Sequence, residues 1–256
     1  MQVKKMYSLE GKVAVVTGAS SGLGVVFSEA LGEMGASIEL AARRTDKLHE
    51  VESKLNETGV RARSIQCDVS KSEDVQALID DTVKNFGRLD IIVNNAGVAA
   101  MSPTVDISVE EWKKVVDVNL TGVFLCARAA ARQMMKQGGG KIINISSIYG
   151  AVGDVFPASP YYATKGAVIN MTRDLAVEWA PYMIGVNAIA PGFFPSEMTQ
   201  GIFEDPGYLE YIIKQTPLAR TGRPDDLKGV VVFLASSASD YVTGQTIFVD
   251  GGWTAW

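Results

Sequence analysis

Short runs of β-branched and other apolar residues alternate along this chain with longer stretches whose apolar positions recur every three to four residues. The short runs are Val13–Thr17, Ser37–Ala42, Arg63–Cys67, Ile91–Val93, Lys141–Ser146, Gly185–Ile189 and Thr246–Val249. Most are near-continuous in apolar residues, the pattern of strands covered on both faces. The longer stretches, Gly22–Met34, Asp46–Asn56, Ser72–Phe86, Val109–Lys136, Tyr161–Trp179 and Asp225–Ala235, predict amphipathic helices, several opened by Ser or Asp in a capping position. Strand, turn, helix, strand is the order of βαβ units. The expected fold is therefore α/β, a doubly wound parallel seven-stranded sheet with helices on both faces.

The rhythm breaks at Phe193–Thr216, where Pro195 and Pro206 flank short amphipathic pieces rich in Phe, Tyr and Ile. A connection of that length predicts a lid over a binding site at about residues 193–216. No stretch rich in Pro, Gly or Ser divides the chain and no internal repeat is visible, so residues 1–256 are expected to form one domain.

Composition changes the picture mainly by exclusion. A chain of 256 residues can bury roughly 70–75% of the surface its unfolded form exposes, enough for one sizeable core. Apolar residues at 47% and charged residues at 21% rule out a disordered balance. A net charge of −5, with Lys and Arg scattered, offers no field for nucleic acid or an anionic membrane, so a small-molecule partner is expected. Cys67 and Cys126 lack metal-ligand or disulfide spacing and are expected to be reduced core thiols. Met1–Leu9 carries Lys4 and Lys5 without a following apolar run, and no segment reaches membrane-spanning length; a cytoplasmic location is expected. The single histidine, His49, falls in a predicted surface helix.

The candidate chemistry begins after the first strand, at Thr17-Gly18-Ala19-Ser20-Ser21-Gly22-Leu23-Gly24, which leads directly into a helix. Glycine lets the turn bend sharply, the backbone approach a pyrophosphate, and the helix pack on the strand. The helix start then offers free N–H groups and a partial positive charge. The end of the second strand, Ala41-Ala42-Arg43-Arg44, carries basic residues where an acidic one would favour NAD(H). Arginine pairs with a 2′-phosphate instead, so NADP(H) is the expected cofactor, with Arg43 the favoured ligand of the two.

Tyr161 and Lys165 stand i, i+4 at the start of a predicted helix and share one face. A phenol at its ordinary pKa of about 10 exchanges protons poorly near neutrality, and a nearby ammonium lowers it. Tyr162 has no lysine four residues on and is the weaker candidate. Upstream, Ile142-Ile143-Asn144-Ile145-Ser146-Ser147 reads as a buried strand ending in two hydroxyls, at the carboxyl end of the strands where ligands of such sheets bind.

With these motifs in order, the chain resembles the short-chain dehydrogenase/reductase family along essentially its whole length, most closely its 3-oxoacyl reductase and gluconate 5-dehydrogenase-like branch. The resemblance implies a Rossmann-like fold. It matches the glycine loop, an adenine-side Asp68 followed by Val69, Asn94-Asn95-Ala96-Gly97, and a helix Asn at Asn119. It also matches Ser147, Tyr161, Lys165, Asn187, Pro191-Gly192 and Val249-Asp250-Gly251-Gly252. On the cofactor side it implies contacts from Gly18, Ser20, Ser21, Gly22, Leu23, Gly24, Arg43, Arg44, Asp68, Val69, Asn95, Ala96, Gly97, Pro191, Gly192, Phe194 and Ser196, with Tyr161 and Lys165 reaching the nicotinamide end.

The resemblance further implies that Tyr161 donates a proton to a carbonyl oxygen as hydride is transferred, that Ser147 holds that oxygen, and that Lys165 binds ribose hydroxyls and lowers the Tyr161 pKa. Asn119 would open its helix locally and hold a water leading to Lys165. The chain departs from the family pattern in three places: Ser147 lies one residue further from Tyr161 than expected beside an adjacent Ser146, Ser196 replaces a threonine, and Ser21 is not basic. The expected activity is NADP(H)-dependent interconversion of a ketone and a secondary alcohol, as a carbonyl or 3-oxoacyl reductase or a gluconate 5-dehydrogenase-like enzyme; loss of Tyr161 or Lys165 would have marked a non-catalytic cofactor sensor. Substrate-facing walls are expected from Val98–Ser102, Tyr149–Pro160 and the lid, with Met101, Tyr149, Val152, Val155, Phe156, Phe193, Phe194, Phe203 and Tyr208, and with Lys214 or Arg220 as the cations near the lid. No metal is expected. The family also implies a homotetramer built on the long helices and the C-terminal edge at Trp253 and Trp256.

Overall fold

The computed structural model describes residues 2–256. Seven strands, β1 (Val13–Thr17), β2 (Ser37–Ala42), β3 (Ala62–Gln66), β4 (Ile91–Asn94), β5 (Gly140–Ile145), β6 (Ile184–Pro191) and β7 (Thr246–Val249), form one sheet in the order β3-β2-β1-β4-β5-β6-β7. Every pairing is parallel. The chain folds as a single Rossmann-like domain. Strand order reverses between β1 and β4, which opens a crevice at the carboxyl ends of those strands.

The helices are α1 (Val3–Met6), α2 (Leu23–Glu33), α3 (Thr45–Glu57), α4 (Ser72–Phe86), α5 (Val109–Val116), α6 (Gly122–Gln137), α7 (Ser159–Trp179), α8 (Gln200–Glu204), α9 (Pro206–Gln215) and α10 (Asp225–Ala235). Two apolar layers explain why the strands are apolar on both sides. Phe27 and Leu31 of α2, Leu48 and Leu55 of α3, and Leu227 and Leu234 of α10 pack on one face. Leu78 of α4, Ala130 and Met134 of α6, and Leu175 and Trp179 of α7 pack on the other. Cys67 and Cys126 are free and buried in the second layer. His49 is exposed on α3.

Three local features differ from the sequence pattern. The capping expected of Asp46, Ser72 and Asp225 does not occur, since the N-cap positions are Arg44, Lys71 and Pro224. The carboxylates among them sit inside the first turn, where they complement the helix dipole. Side-chain caps do occur at Ser108, which forms a reciprocal capping box with Glu111, and at Asp205. The helix expected over Val109–Lys136 is interrupted by a π segment, Asp117–Thr121, centred on Asn119. The segment expected to be a lid folds as α8 and α9, with Pro206 in the first turn of α9.

Candidate functional site

The turn after β1 is built around residues that cannot carry a side chain. Gly18 has φ +66°, and a Cβ there would lie 2.9 Å from the Ala96 Cα. At Gly24 a Cβ would stand 2.3 Å from the Gly18 carbonyl oxygen. Gly24 therefore does not face a ligand; it lets α2 pack against the turn so that the helix start meets the crevice. Asn95 braces the same turn from β4. Its amide donates to the Thr17 carbonyl at 2.9 Å, while the Thr17 hydroxyl accepts from the Asn95 and Ala96 N–H groups at 3.0 and 3.1 Å.

A cleft of about 440 Å3 runs from this turn across the strand ends, lined by Gly18, Ser20, Ser21, Gly22, Leu23, Arg43, Arg44, Asp68, Val69, Asn95, Ala96 and Gly97 on one side. At its other end stand Ser147, Tyr161, Lys165, Pro191, Gly192, Phe194 and Ser196. Of the residues predicted from sequence, Gly24 and Asn119 lie behind the lining. Asn119 is fully buried. Its side chain accepts from the Val98 N–H and donates to the Val98 carbonyl, both at 2.8 Å. Asn119 thus shapes the strand-end loop from behind, and the surrounding π turn is the local opening of the helix expected there.

Arg43 and Arg44 play different parts. The Arg44 guanidinium reaches the phosphate turn, donating to the Ser20 hydroxyl at 3.1 Å and to the Ser21 hydroxyl at 2.7 Å. Arg43, the residue favoured on sequence, lies beside Asp68 instead. Burial opposes the Asp68 charge, but two hydrogen bonds from Ser70, with the nearby positive charges of Arg43 and Lys71, outweigh it and hold the carboxyl below its ordinary value. Sequence reasoning missed Glu197, Met198 and Thr199, which also line the cleft. Glu197 accepts from Arg44 at 2.8 Å, Lys47 at 2.5 Å and Ser21 at 3.1 Å, which holds its carboxyl at about 2. Nothing local marks this contact, because Glu197 and Arg44 are 153 residues apart. The Ser196 hydroxyl bonds the Thr199 hydroxyl at 3.0 Å, and Thr199 donates to the Phe194 carbonyl at 2.7 Å.

The other end of the cleft separates the two adjacent serines. Ser146 donates to the Lys165 carbonyl at 2.9 Å and so ties β5 to α7. Ser147 accepts from the Tyr149 N–H at 3.2 Å and stands beside Tyr161. Tyr161 and Lys165 enter together on the first turns of α7, where the Lys165 ammonium lies 5.4 Å from the Tyr161 ring centre and donates to the Ile145 carbonyl at 2.7 Å. Burial lowers the Lys165 ammonium to about 8. Burial also raises the Tyr161 phenol, with the Ser147 hydroxyl acting in the opposite sense. That direction is opposite to the one the lysine spacing suggests, because desolvation of the buried phenol outweighs the hydrogen bond from Ser147.

Beyond Tyr161 lies an aromatic wall. Phe193 meets Tyr149, Phe156 and Trp253 with ring centres 6.0, 5.9 and 4.9 Å apart, and Tyr208 closes on Phe156 at 5.0 Å. Val152 and Phe203 pack at its margin. Met101 and Val155, expected in this wall, are 46% and 66% exposed and stand outside it, while Phe194 turns into the core layer under α10. Arg220 is bound by Asp226 at 2.6 Å, and Lys214 is exposed on α9, so neither expected cation faces the cleft. Asn187 and Asp250, from the motifs at the end of the chain, brace backbone rather than line the site: Asn187 accepts from the Gln245 N–H and Asp250 from the Gly252 and Thr254 N–H groups.

Comparison with known proteins places this geometry. The family model described as enoyl-(acyl carrier protein) reductase matches residues 18–254. The chain is 39% identical to the 5-keto-D-gluconate 5-reductase of Escherichia coli strain K12, over 96% of this chain and 97% of that protein. It is 42% identical to the 3-oxoacyl-acyl-carrier-protein reductase FabG of Staphylococcus aureus strain Mu50, over 94% of this chain and 97% of that protein. Among solved structures, a gluconate 5-dehydrogenase from Burkholderia cenocepacia J2315, in complex with NADP and tartrate, superimposes with a TM-score of 0.96 at 38% identity and covers 100% of both chains.

Proposed function

The chain belongs to the short-chain dehydrogenase/reductase family, and from that premise we propose that it is an NADP(H)-dependent oxidoreductase interconverting a ketone and a secondary alcohol, foremost as a carbonyl or 3-oxoacyl reductase in the cytoplasm. The observation that carries this reading is the convergence of Ser147, Tyr161 and Lys165 on the same cleft as the glycine turn and the two arginines. The cleft fits the cofactor. The missing Cβ at Gly22, which would face Ser196 across the cleft, leaves room for a pyrophosphate at the start of α2, and Arg44 with Ser20 and Ser21 forms a donor cluster suited to a 2′-phosphate. Arg43, Asp68 and Val69 flank the adenosine end; Pro191, Gly192, Phe194 and Ser196 flank the nicotinamide end.

NADPH bound there supplies the electron pair that reduces the carbonyl carbon. Tyr161 holds the proton delivered to the carbonyl oxygen, and Ser147 hydrogen-bonds that oxygen as negative charge grows on it. Lys165 holds the ribose hydroxyls and favours the phenolate once Tyr161 has given up its proton. Asn119, which holds Val98 where its helix opens, would hold a water leading to Lys165.

A second reading, a gluconate 5-dehydrogenase-like sugar-acid dehydrogenase, draws on the relatives of that name. The apolar wall favours the first reading. We further propose a homotetramer, because Phe124 on α6, Val177 on α7 and Trp256 leave 40%, 78% and 79% of their surface uncovered; sedimentation at micromolar concentration as a monomer would contradict it. The function is tested by NADPH oxidation over a panel of short ketones, 3-oxoacyl thioesters and keto-sugar acids. Turnover of the first two classes is expected. Tight NADPH binding without turnover of any carbonyl would instead make the chain a cofactor sensor.

A further inference from the structure

The loop from β5 to α7 turns through a short 3-10 segment, Ile148–Gly150, and then places Asp154 against two tyrosines. The Tyr149 hydroxyl donates to one Asp154 oxygen at 2.8 Å. The Tyr211 hydroxyl of α9 donates to the other at 2.7 Å, together with the Val155 N–H at 2.6 Å. The Tyr149 ring stands edge-on to Tyr161, with centres 6.4 Å apart, and its N–H is the donor to Ser147. One aromatic ring therefore separates this carboxylate from the reacting groups.

The carboxylate is half-buried and makes no ion pair among the described residues. Lys165, the buried cation of the cleft, is committed to the Ile145 carbonyl on the nucleotide side. Arg220 is taken by Asp226, and Lys214 is exposed. The surrounding surface is aromatic, and the face of an aromatic ring is electrically negative. Tyr162 and Tyr211 register the resulting field. Burial first, with the Asp154 charge adding to it, raises both phenols to about 12.

We propose that Asp154 sets the charge class of the substrate: the site takes a ketone or secondary alcohol that is neutral or carries a protonated amine, and discriminates against one carrying a carboxylate. This rests on the ketone–alcohol reading of the site and narrows it. A keto-sugar acid would bring its carboxylate toward a fixed negative charge with no free cation to meet it, whereas a protonated amine would find a carboxylate and aromatic faces, a combination that recognises ammonium groups.

The test compares three ketones of matched size that are neutral, carboxylate-bearing and ammonium-bearing, with the charge the same number of bonds from the carbonyl. In the wild-type protein kcat/KM is expected to fall in the order ammonium, neutral, carboxylate, with the carboxylate about tenfold below the neutral compound. Asp154→Asn should bring the three together, with Tyr211→Phe as a control that keeps the charge and the ranking. If Asp154→Asn does not fold, the wild-type ranking should still compress in 1 M salt, where screening acts within about 3 Å. Turnover with equal rates for the three, or a ranking unmoved by Asp154→Asn or by salt, overturns the proposal alone. No turnover of any of the three overturns the ketone–alcohol reading, and this inference with it.

Discussion

The two ends of the cleft are built by different means. The turn at the nucleotide end is set by backbone shape, with missing Cβ atoms at Gly18 and Gly24 and a helix start, and the side chains of Asn95 on Thr17 and of Arg44 on Ser20 and Ser21 brace it. The substrate end is made of side chains that meet from distant segments: Tyr149 and Asp154 from one loop, Tyr211 from the lid, and Trp253 from the C-terminal segment. A backbone site tolerates almost no change in shape but recognises a shape many proteins share. A side-chain site can change its ligand by single substitutions while the fold stays in place. Changes at the first end should therefore read out in cofactor binding, and changes at the second in substrate preference.

The largest effect on cofactor binding is expected at Gly24. Gly24→Ala forces a Cβ to within 2.3 Å of the Gly18 carbonyl oxygen, so NADPH affinity measured by fluorescence titration should fall about 100-fold or more through displacement of the turn. Affinity within a few-fold of wild type would show that the turn is not the rigid element described.

Below the nucleotide end, Glu39 of β2 is fully buried with neither carboxyl oxygen hydrogen-bonded. Burial, then the Asp81 and Glu52 charges, with Arg63 opposing, raise it from 4.5 to about 8. Between those values the folded protein keeps a proton that the unfolded chain has lost, so stability falls as pH rises through the window and the full cost is present above about pH 8. Glu39→Gln should stabilise the protein by roughly 5 kcal/mol above that pH and by little near pH 4.5, as read by denaturant unfolding. A gain independent of pH would contradict this account.

The arginines sharpen the comparison further. Arg44→Ala removes the donor that reaches Ser20 and Ser21, and should raise the KM for NADPH about 30-fold with little change for NADH. Arg43→Ala should act in the same sense but more weakly. An equal loss for both cofactors would take the 2′-phosphate away from this pair. The smallest effect is expected at the lid: Tyr211→Phe leaves Asp154 its bonds from Tyr149 and Val155, so substrate KM should change about threefold and cofactor KM not at all. A larger change in cofactor KM than in substrate KM would erase the division between the two ends.

The same division explains what could be read before the structure. The five central strands were visible because strands buried on both faces carry runs of Val, Ile and Ala, the half-exposed edge strands β3 and β7 because they fall in the same strand–turn–helix rhythm, and the glycine turn because its residues are consecutive. Tyr161 and Lys165 were legible because helical spacing puts residues four apart on one face. The Ser146–Ser147 choice was not, since adjacent strand-end residues point to opposite sides and only the Ser146 bond to the Lys165 carbonyl separates them. The sequence favours Arg43 as the 2′-phosphate ligand but carries no sign that the Arg44 guanidinium reaches Ser20 and Ser21, a matter of how α3 leaves β2. Glu197 on Arg44 and Tyr211 on Asp154 join residues 153 and 57 positions apart, and no periodicity records such meetings. The π turn at Asp117–Thr121 leaves no mark in the apolar pattern, and only the resemblance at Asn119 pointed to a local opening of that helix.

The central claim is that Tyr161 carries the proton of a ketone–alcohol interconversion in a cleft that binds NADPH independently of that hydroxyl. The direct measurement is Tyr161→Phe, with NADPH affinity by calorimetry and turnover of the best ketone from the panel determined on the same preparation. The account predicts affinity within about twofold of wild type, and turnover reduced by about 1,000-fold or more. Turnover within tenfold of wild type, with the cofactor still bound, would contradict it.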